Sequence, residues 1–323
     1  MTDLINQLTP FTLQLIIVLV VLVLQSVIAS VQIKGTTHFF RFYCQRLSEK
    51  VNNQHNGTQQ QKIAGAAATL ITVIPIIIIL WLFEDFVEVP VLWHSLLLFF
   101  ALSGSGAQRM ASLLITSINK QENNSAKAHL QPWVLRDTST LSSMGLCKAC
   151  IEMLWLNYLQ RQFLVIVIYL LIGPIAAIFY RILLEIHYSW NTKIEKYQYF
   201  GKFVGKIISL LQWLPALILS IELNFLMLSR TNRANAQSIS SHISRLSSDY
   251  LLATAAKINH IQLGGVALYQ GQKLRRVSFN QTGSQPSTKE LSNTIKQLQL
   301  VKALNIGIIF SMLVLAMFIS IAS

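Results

Sequence analysis

The sequence predicts an all-α fold, a polytopic helical membrane protein with about five spans, because each span needs about 20 predominantly apolar residues. The chain is 53% hydrophobic and only 12% charged, whereas soluble domains carry about 25% charged residues. No charged side chain occurs between residues 4 and 33. One core cannot hide this much apolar surface, so most of it must face lipid.

The long apolar runs give the predicted spans. We place these at 11–31, 63–83, 89–108, 163–180 and 303–323, with a shorter apolar helix at 207–221. The shorter run suits a re-entrant or protein-buried helix as well as a span. Polar segments between the runs have helical periodicity, which predicts cytoplasmic helical segments. Because no linker separates independent halves, we predict a single domain over 1–323.

The charged loops predict the orientation in the membrane. The first loop, 34–62, is basic, whereas the second, 84–88, contains acids and no base. The positive-inside rule therefore puts the amino terminus outside and the basic loops in the cytoplasm. We predict that the protein is a multi-pass protein of the bacterial inner membrane. The net charge of +13 then indicates contact with anionic membrane lipid and no nucleic-acid partner.

Common signatures of several enzyme and transporter classes are absent from the sequence. It contains no GxxxxGK[ST], GxGxxG, HExxH or GxSxG motif. Cys147 and Cys150 form a CxxC pair without a second ligand pair, so two packed helix residues are favoured over a zinc site. No pair of Gly-interrupted spans recurs in two halves, which disfavours a transporter.

A polar segment, RDTSTL, begins at Arg136 and precedes a helical run. Asp137, Thr138 or Ser139 could cap that helix by accepting hydrogen bonds from its free N–H groups. Capping does not explain Arg136, whose fork of donors suits a carboxylate or a phosphate. Glu152 follows among apolar residues and is either paired with a base or part of a site.

A second polar segment contains the paired glycines Gly264 and Gly265. Paired glycines permit positive φ and close backbone approach. Lys273, Arg275 and Arg276 follow, so the segment is either an anion-binding turn or a turn beside a lipid-facing basic patch.

A third segment, 195–206, brings basic and aromatic side chains to the start of a helix that contains Pro215. This pattern is typical of the interfacial belt of a membrane protein. Its last residue, Lys206, is a candidate cationic partner for a carboxylate or phosphate.

The order of these segments carries a family resemblance. In sequence order they are RDTSTL from Arg136, a helix with Glu152 and Asn157, YFGK from Tyr199, WLPA from Trp213 and LGG from Leu263. The chain resembles the CobD/CbiB family of cobalamin biosynthesis over most of its length, and best from Arg136 onward. It is more distantly similar to AmpE, a membrane protein linked to β-lactamase signalling.

The resemblance implies an amide-forming ligase in the membrane. In that family, aminopropanol or its phosphate is joined to the f-side-chain carboxylate of (adenosyl)cobyric acid to give a cobinamide. The resemblance implies ATP as a co-reactant, and phosphoryl activation normally also needs Mg²⁺ held by carboxylates. Neither is expected to be permanently bound, and no residue is assigned as a metal ligand.

The predicted site combines the resemblance with the chemistry of the residues. Asp137 and Glu152 are the predicted catalytic residues, which would hold a metal or take a proton from the amine. The predicted substrate-binding residues lie in or beside the matching segments: Arg136, Thr138, Asn157, Lys206, Gly264, Gly265, Tyr269, Lys273 and Arg275.

Several polar residues of the family are replaced in this chain. Trp155-Leu156-Asn157 stands where the family has AEN, Gln160 stands in place of an Asp, and Val266 replaces the proline of LGGP. The lost acids leave an alternative open, namely a non-catalytic membrane signalling or sensor protein of the AmpE-like type on the same fold.

Overall fold

The computed structural model describes residues 9–28, 36–102, 106–227 and 248–322. Its α-helices are α1 (Pro10–Ile28), α2 (Thr36–Val51), α3 (Thr58–Glu84), α4 (Pro90–Ala101), α5 (Ala107–Asn119), α6 (Asn123–Leu130), α7 (Ser143–Tyr158), α8 (Leu164–Leu171), α9 (Pro174–Ser189), α10 (Lys202–Leu226), α11 (Asp249–Ile258) and α12 (Thr288–Ala322). A π-helical segment, Leu159–Phe163, joins α7 to α8. Two strands, β1 (Leu263–Tyr269) and β2 (Gln272–Phe279), form an antiparallel hairpin.

The helices confirm the predicted class of fold. Five of the described helical stretches are long and apolar enough to cross a membrane: Pro10–Val27, Thr58–Glu84, Ser143–Leu171, Lys202–Leu226 and Thr288–Ser320. A multi-pass membrane protein fits these helices, since each exceeds the roughly 17 residues that a tight span requires.

The third predicted span, 89–108, is not a continuous helix. Its apolar part forms α4, which has 12 residues and is therefore about 18 Å long, against about 30 Å of hydrocarbon. A new helix, α5, begins at Ala107. The run of serine and glycine that ends at Gly106 has a low helix propensity. The apolar composition of 89–108 therefore predicted a longer helix than the chain forms.

The fourth predicted span, 163–180, is also divided. The helix α8 ends at Leu171 and α9 begins at Pro174, because proline lacks the N–H that a continuing helix would need. The long apolar stretch instead begins earlier, at Ser143, and reaches Leu171 through the π-helical segment.

The short apolar helix predicted at 207–221 is longer than its uncharged run. It forms the 25-residue α10, with Pro215 inside it. Lys206 and Glu222, which bounded the apolar run, both lie within the helix. Backbone hydrogen bonds continue past charged residues, and long polar side chains can extend toward water from the ends of a span.

The described residues form two compact units. Unit 1 comprises those within Met1–Ser105, Arg161–Ile208 and Ala303–Ser323, and unit 2 those within Gly106–Gln160 and Ser209–Lys302. Each unit is assembled from separate stretches of sequence. The single family-like domain over 1–323 stays a prediction.

The core of unit 1 includes the loop that follows α9. Trp190 packs edge-to-face on Phe200 at 4.9 Å between ring centroids, and its indole N–H donates to the carbonyl of Cys44 over 3.0 Å. A Cβ on Gly201 would lie 1.8 Å from the carbonyl oxygen of Trp190. Of the aromatic residues in the segment at 195–206, Tyr197 and Phe200 are therefore buried inside the unit, while Tyr199 and Phe203 are half-buried; the interfacial belt stays a prediction.

Unit 2 is built around α7, most of whose side chains are buried. Ser142 caps this helix by accepting a hydrogen bond from the N–H of Gly145. The three earlier residues proposed as caps in the sequence analysis do not perform this role. Cys147 and Cys150 are buried free thiols on the helix, in agreement with the packed-face interpretation.

The hairpin of unit 2 was predicted only as a turn. Tyr269 pairs with Gln272, so Gln270 and Gly271 form a two-residue connection, and both have positive φ. That is the geometry of a tight hairpin turn. The paired glycines lie earlier, where the register shifts between Gly264 and Val266 and makes a bulge in β1.

Candidate functional site

Unit 2 contains a buried charged cluster that joins three predicted segments. The carboxylate of Glu152, on α7, accepts hydrogen bonds from Arg136 and from Nη1 of Arg276, the latter over 3.0 Å. Its other oxygen accepts from the backbone N–H of Gly264 over 2.9 Å. We call Glu152, Arg136, Arg276 and Gly264 the Glu152 cluster.

The bulge in β1 gives this cluster its geometry. Gly264 has a φ of +73°, and a Cβ there would lie 2.0 Å from the carbonyl oxygen of Val277. Only glycine fits, and its N–H is then free to point at the carboxylate instead of joining the ladder. Arg276 Nε donates to the carbonyl of Gly265 over 3.2 Å, which fixes the direction of the guanidinium.

Positive charge exceeds negative charge in the Glu152 cluster. Only 2% of Glu152 and 8% of Arg136 is exposed, and a carboxylate this deeply buried requires ionic partners. Burial alone would lower the pKa of Arg276, but the Glu152 carboxylate raises it above its ordinary value. Lys148 lies one turn before Glu152 on α7, with its Nζ 3.9 Å from where a Cβ of Gly265 would be. The arrangement suits an anionic group such as a carboxylate or phosphate.

Asp137 connects the segment that begins at Arg136 to the turn of the hairpin. Its backbone N–H donates to the carbonyl of Leu268 over 2.9 Å, and its Oδ2 accepts from the N–H of Gly271 over 2.8 Å. The predicted meeting of the Arg136–Asp137 segment with the Gly264–Gly265 segment is thus present in the structure. Asp137 is half-buried, which leaves its carboxylate more accessible than that of Glu152.

The other predicted residues of unit 2 lie around this cluster. Thr138 is buried and its hydroxyl donates to Oε1 of Gln131 over 2.7 Å, so it holds the loop in place. Tyr269 is buried at the end of β1, and Asn157 is half-buried on α7. Lys273 and Arg275 are exposed on β2.

Arg276 was predicted only as part of the basic run beside the paired glycines, and not as a site residue. Successive side chains of a strand point to opposite faces, so Arg276 reaches Glu152 while Arg275 faces outward. The pair of adjacent arginines was the available signal. Lys206 lies in unit 1, exposed on α10, and its predicted proximity to Asp137 and Gly265 stays a prediction.

Unit 1 contains a second buried carboxylate with several arginines. Glu185, on α9, is 3.4 Å from Nε of Arg41, 3.1 Å from Nη2 of Arg161 and 2.9 Å from Nη2 of Arg181. Burial alone would raise the pKa of Glu185, but these arginines hold it below its ordinary value. We call these four residues the Glu185 cluster.

The described residues contain no preformed cluster of metal ligands. No group of three or more His, Cys, Asp or Glu side chains in the described part of the chain could hold a metal ion. Glu152 is engaged by Arg136 and Arg276, so its oxygens are not arranged as ligands of a hard cation. The arginines suit the phosphates of ATP, because a guanidinium presents paired donors to a phosphate.

Comparison with known proteins identifies related sequences. The family model described as CobD/Cbib protein matches residues 15–298. The cobalamin biosynthesis protein CobD of Stutzerimonas stutzeri (strain A1501) is 22% identical over 254 residues, 77% of this chain and 83% of that protein. The protein of the same name from Chromobacterium violaceum is 23% identical over 243 residues, 73% of this chain and 76% of that protein. The probable cobalamin biosynthesis protein CobD of Pyrococcus furiosus is 35% identical over 85 residues, which cover 26% of this chain and 30% of that protein. No solved structure matches the chain.

Proposed function

Because the chain belongs to the CobD/CbiB protein family, we propose that it acts in cobalamin biosynthesis as an amide-forming enzyme. It joins aminopropanol, or its phosphate, to the f-side-chain carboxylate of (adenosyl)cobyric acid. Two relatives named cobalamin biosynthesis protein CobD are matched by this chain over 83% and 76% of their own lengths. The family match and these names support the role in cobalamin biosynthesis.

The convergence of two separate segments on Glu152 carries this proposal. Arg136 comes from the segment before α7, Gly264 and Arg276 come from the hairpin, and all three donate to one carboxylate. Arg136 and Gly264 also lie in the segments that carry the family resemblance. Structural ion pairs alone would not require the matching motifs to meet.

The roles of the residues follow from their partners. Arg136 and Arg276 orient the anionic groups of the substrates, since a guanidinium presents paired donors to a carboxylate or phosphate. Glu152 accepts from both and from Gly264, so it positions the two guanidinium groups.

Asp137 is the proton acceptor in this proposal. An amine must be neutral to attack an acyl centre, so a base is needed to take its proton. Asp137 lies beside Arg136 and has its Oδ2 fixed by the N–H of Gly271. ATP, when bound, would supply the activation of the carboxylate that the family resemblance implies.

Complementation tests the proposed function. A bacterial strain that lacks the authentic synthase is supplied with this gene and grown with cobyric acid or with cobinamide as the corrinoid source. We expect the wild-type gene to restore growth on cobyric acid, and Arg136→Ala to abolish it while growth on cobinamide continues. Arg109→Ala, at an exposed position of α5, removes an arginine of the same unit outside the predicted site and is the matched control, which should still complement. A well-expressed, membrane-inserted wild-type protein that fails on cobyric acid would refute the enzyme assignment.

One observation favours the alternative of a non-catalytic signalling protein. Both oxygens of Glu152 are occupied by donors of the protein itself, as expected of a structural ion pair. If this alternative holds, deletion of the gene changes a signalling output and leaves the corrinoid pools unchanged.

A further inference from the structure

The Glu185 cluster carries more positive charge than its carboxylate can balance. Three guanidinium groups, from Arg41, Arg161 and Arg181, surround the single carboxylate of Glu185. The side chains of Glu185 and Arg181 are 6% and 7% exposed. Excess charge in a buried position is costly unless an anion compensates it.

Arg181 also has donors that its protein neighbours do not use. Its Nη1 and Nη2 are buried and make no hydrogen bond of good geometry within the described residues, although Nη2 lies 2.9 Å from Glu185. Buried N–H groups are almost always paired. Burial, and then the charge of Arg161, lowers the pKa of Arg181 to about 10, so it is still a cation at neutral pH.

The cluster reaches the surface at Arg41 and lies at an irregular helix. Arg41 is 47% exposed, so its guanidinium is accessible to an anion. Arg161 belongs to the π-helical segment, and its guanidinium carbon lies 5.1 Å from the ring centroid of Tyr188. Single π-helical turns within α-helices are frequent at functional sites.

We propose that Arg41, Arg161 and Arg181 form a binding site for a phosphate-class oxyanion, with Glu185 holding the guanidinium groups in position. A tetrahedral oxyanion accepts several charge-assisted hydrogen bonds at once, which matches the unused donors of Arg181. The same chemistry is offered by a soluble phosphate and by the phosphomonoester headgroup of a lipid. The site lies within unit 1, and the proposal does not depend on the proposed enzymatic function.

Thermal unfolding of the purified full-length protein tests this site. Inorganic phosphate is titrated at constant ionic strength, with chloride as the comparison salt, because non-specific screening depends on ionic strength alone. A ligand that binds the folded state raises its melting temperature, and above the dissociation constant the rise follows the logarithm of the ligand concentration. We expect this rise with phosphate for the wild-type protein and none with chloride.

Two arginines of α2 provide a matched pair of variants. Arg41→Gln should weaken the apparent phosphate affinity about tenfold or more, since one charge-assisted contact is lost. Arg46→Gln, which removes a 64% exposed arginine paired with Glu49, should leave the affinity unchanged. Glu185→Gln, where it folds, should strengthen phosphate binding because the competing negative charge is gone.

The source of the oxyanion is distinguished in lipid nanodiscs. Nanodiscs of phosphatidylcholine are compared with nanodiscs that also contain phosphatidic acid. A response to free phosphate that depends on Arg41 supports a soluble ligand, and one to phosphatidic acid alone that depends on Arg41 supports a lipid headgroup. If neither anion produces a response that Arg41→Gln weakens and Arg46→Gln retains, the proposal is overturned.

Discussion

The backbone N–H of Gly264 donates to Oε1 of Glu152 over 2.9 Å, although 112 residues separate them in sequence. The bond ties the bulge of β1 to the middle of α7. It satisfies an oxygen of a carboxylate whose other oxygen is shared by Arg136 and Arg276. The position of both arginines therefore depends on a glycine at 264.

Gly264→Ala should lower the free energy of unfolding by about 2–5 kcal/mol, the range of a buried steric conflict. The added Cβ would lie 2.0 Å from the carbonyl oxygen of Val277. Gly271→Ala is the control, since Gly271 also has positive φ but has nothing within 4 Å of its Cβ position. It should lose only about 1–2 kcal/mol, the strain of a left-handed residue. Unfolding in detergent measures both, and equal losses would contradict the steric argument.

Asp137→Asn should abolish complementation on cobyric acid while the protein still folds. An asparagine keeps an oxygen that can accept from the N–H of Gly271, the contact that Asp137 makes at 2.8 Å, but it cannot take a proton from an amine. Asp137→Ala loses both properties and should also be less stable. Membrane expression level and growth are measured together, and full growth with Asp137→Asn would exclude the residue as the base.

The stability of the protein should fall as the pH is lowered from about 6.5 to about 4, the interval between the ordinary pKa of histidine and that of His187. Burial, and then the charge of Lys193, lowers the pKa of His187 to about 4. In this interval the unfolded chain binds a proton that the folded protein does not. The effect is on the order of 1–3 kcal/mol, since a tenfold change in proton affinity corresponds to about 1.4 kcal/mol.

Two variants identify the histidine responsible for this pH dependence. His187→Phe should flatten the fall in melting temperature between these pH values, whereas His55→Gln, at an exposed position, should not. If the melting temperature of His187→Phe falls as much as that of the wild-type protein, other groups cause the effect.

Cysteine labelling tests the predicted orientation of the first two loops. A cysteine at Lys50 should react only from the cytoplasm, and one at Asp85 only from the outside, because the first loop is basic and the second is acidic. The two positions flank α3, which has 27 residues and is long enough to cross the bilayer. The three native cysteines are Cys44, Cys147 and Cys150, all buried, and give little background. Labelling of both positions from one side would remove α3 from the set of spans.

Local patterns in the sequence predicted much of the fold and part of the site. The apolar runs of α3 and α12 need only length and composition, so they were found directly. The Arg136 and Gly264 segments were placed together because their residues have complementary chemistry and lie in segments that resemble one family.

The remaining features depend on tertiary contacts. The choice of Arg276 over Arg275 depends on the register of β2, and a shift of one residue reverses the faces of a strand. The bulge between Gly264 and Val266 sets that register. The residues at 273–276 have no alternation of polar and apolar side chains that would reveal which arginine faces inward. In the Glu185 cluster, only Arg181 is linked to Glu185 by helical i,i+4 spacing. Arg41 and Arg161 come from α2 and the π-helical segment, and no sequence spacing connects them to Glu185.

Conversion of adenosylcobyric acid by membranes that contain this protein tests the central claim most directly. The membranes are incubated with aminopropanol phosphate, ATP and Mg²⁺, and the corrinoids are separated and weighed by mass spectrometry. We predict a product whose mass corresponds to the amide with loss of one water, formed by the wild-type protein and by Arg109→Ala but not by Arg136→Ala. Unchanged adenosylcobyric acid with well-folded wild-type protein, or equal conversion by Arg136→Ala, would contradict the account.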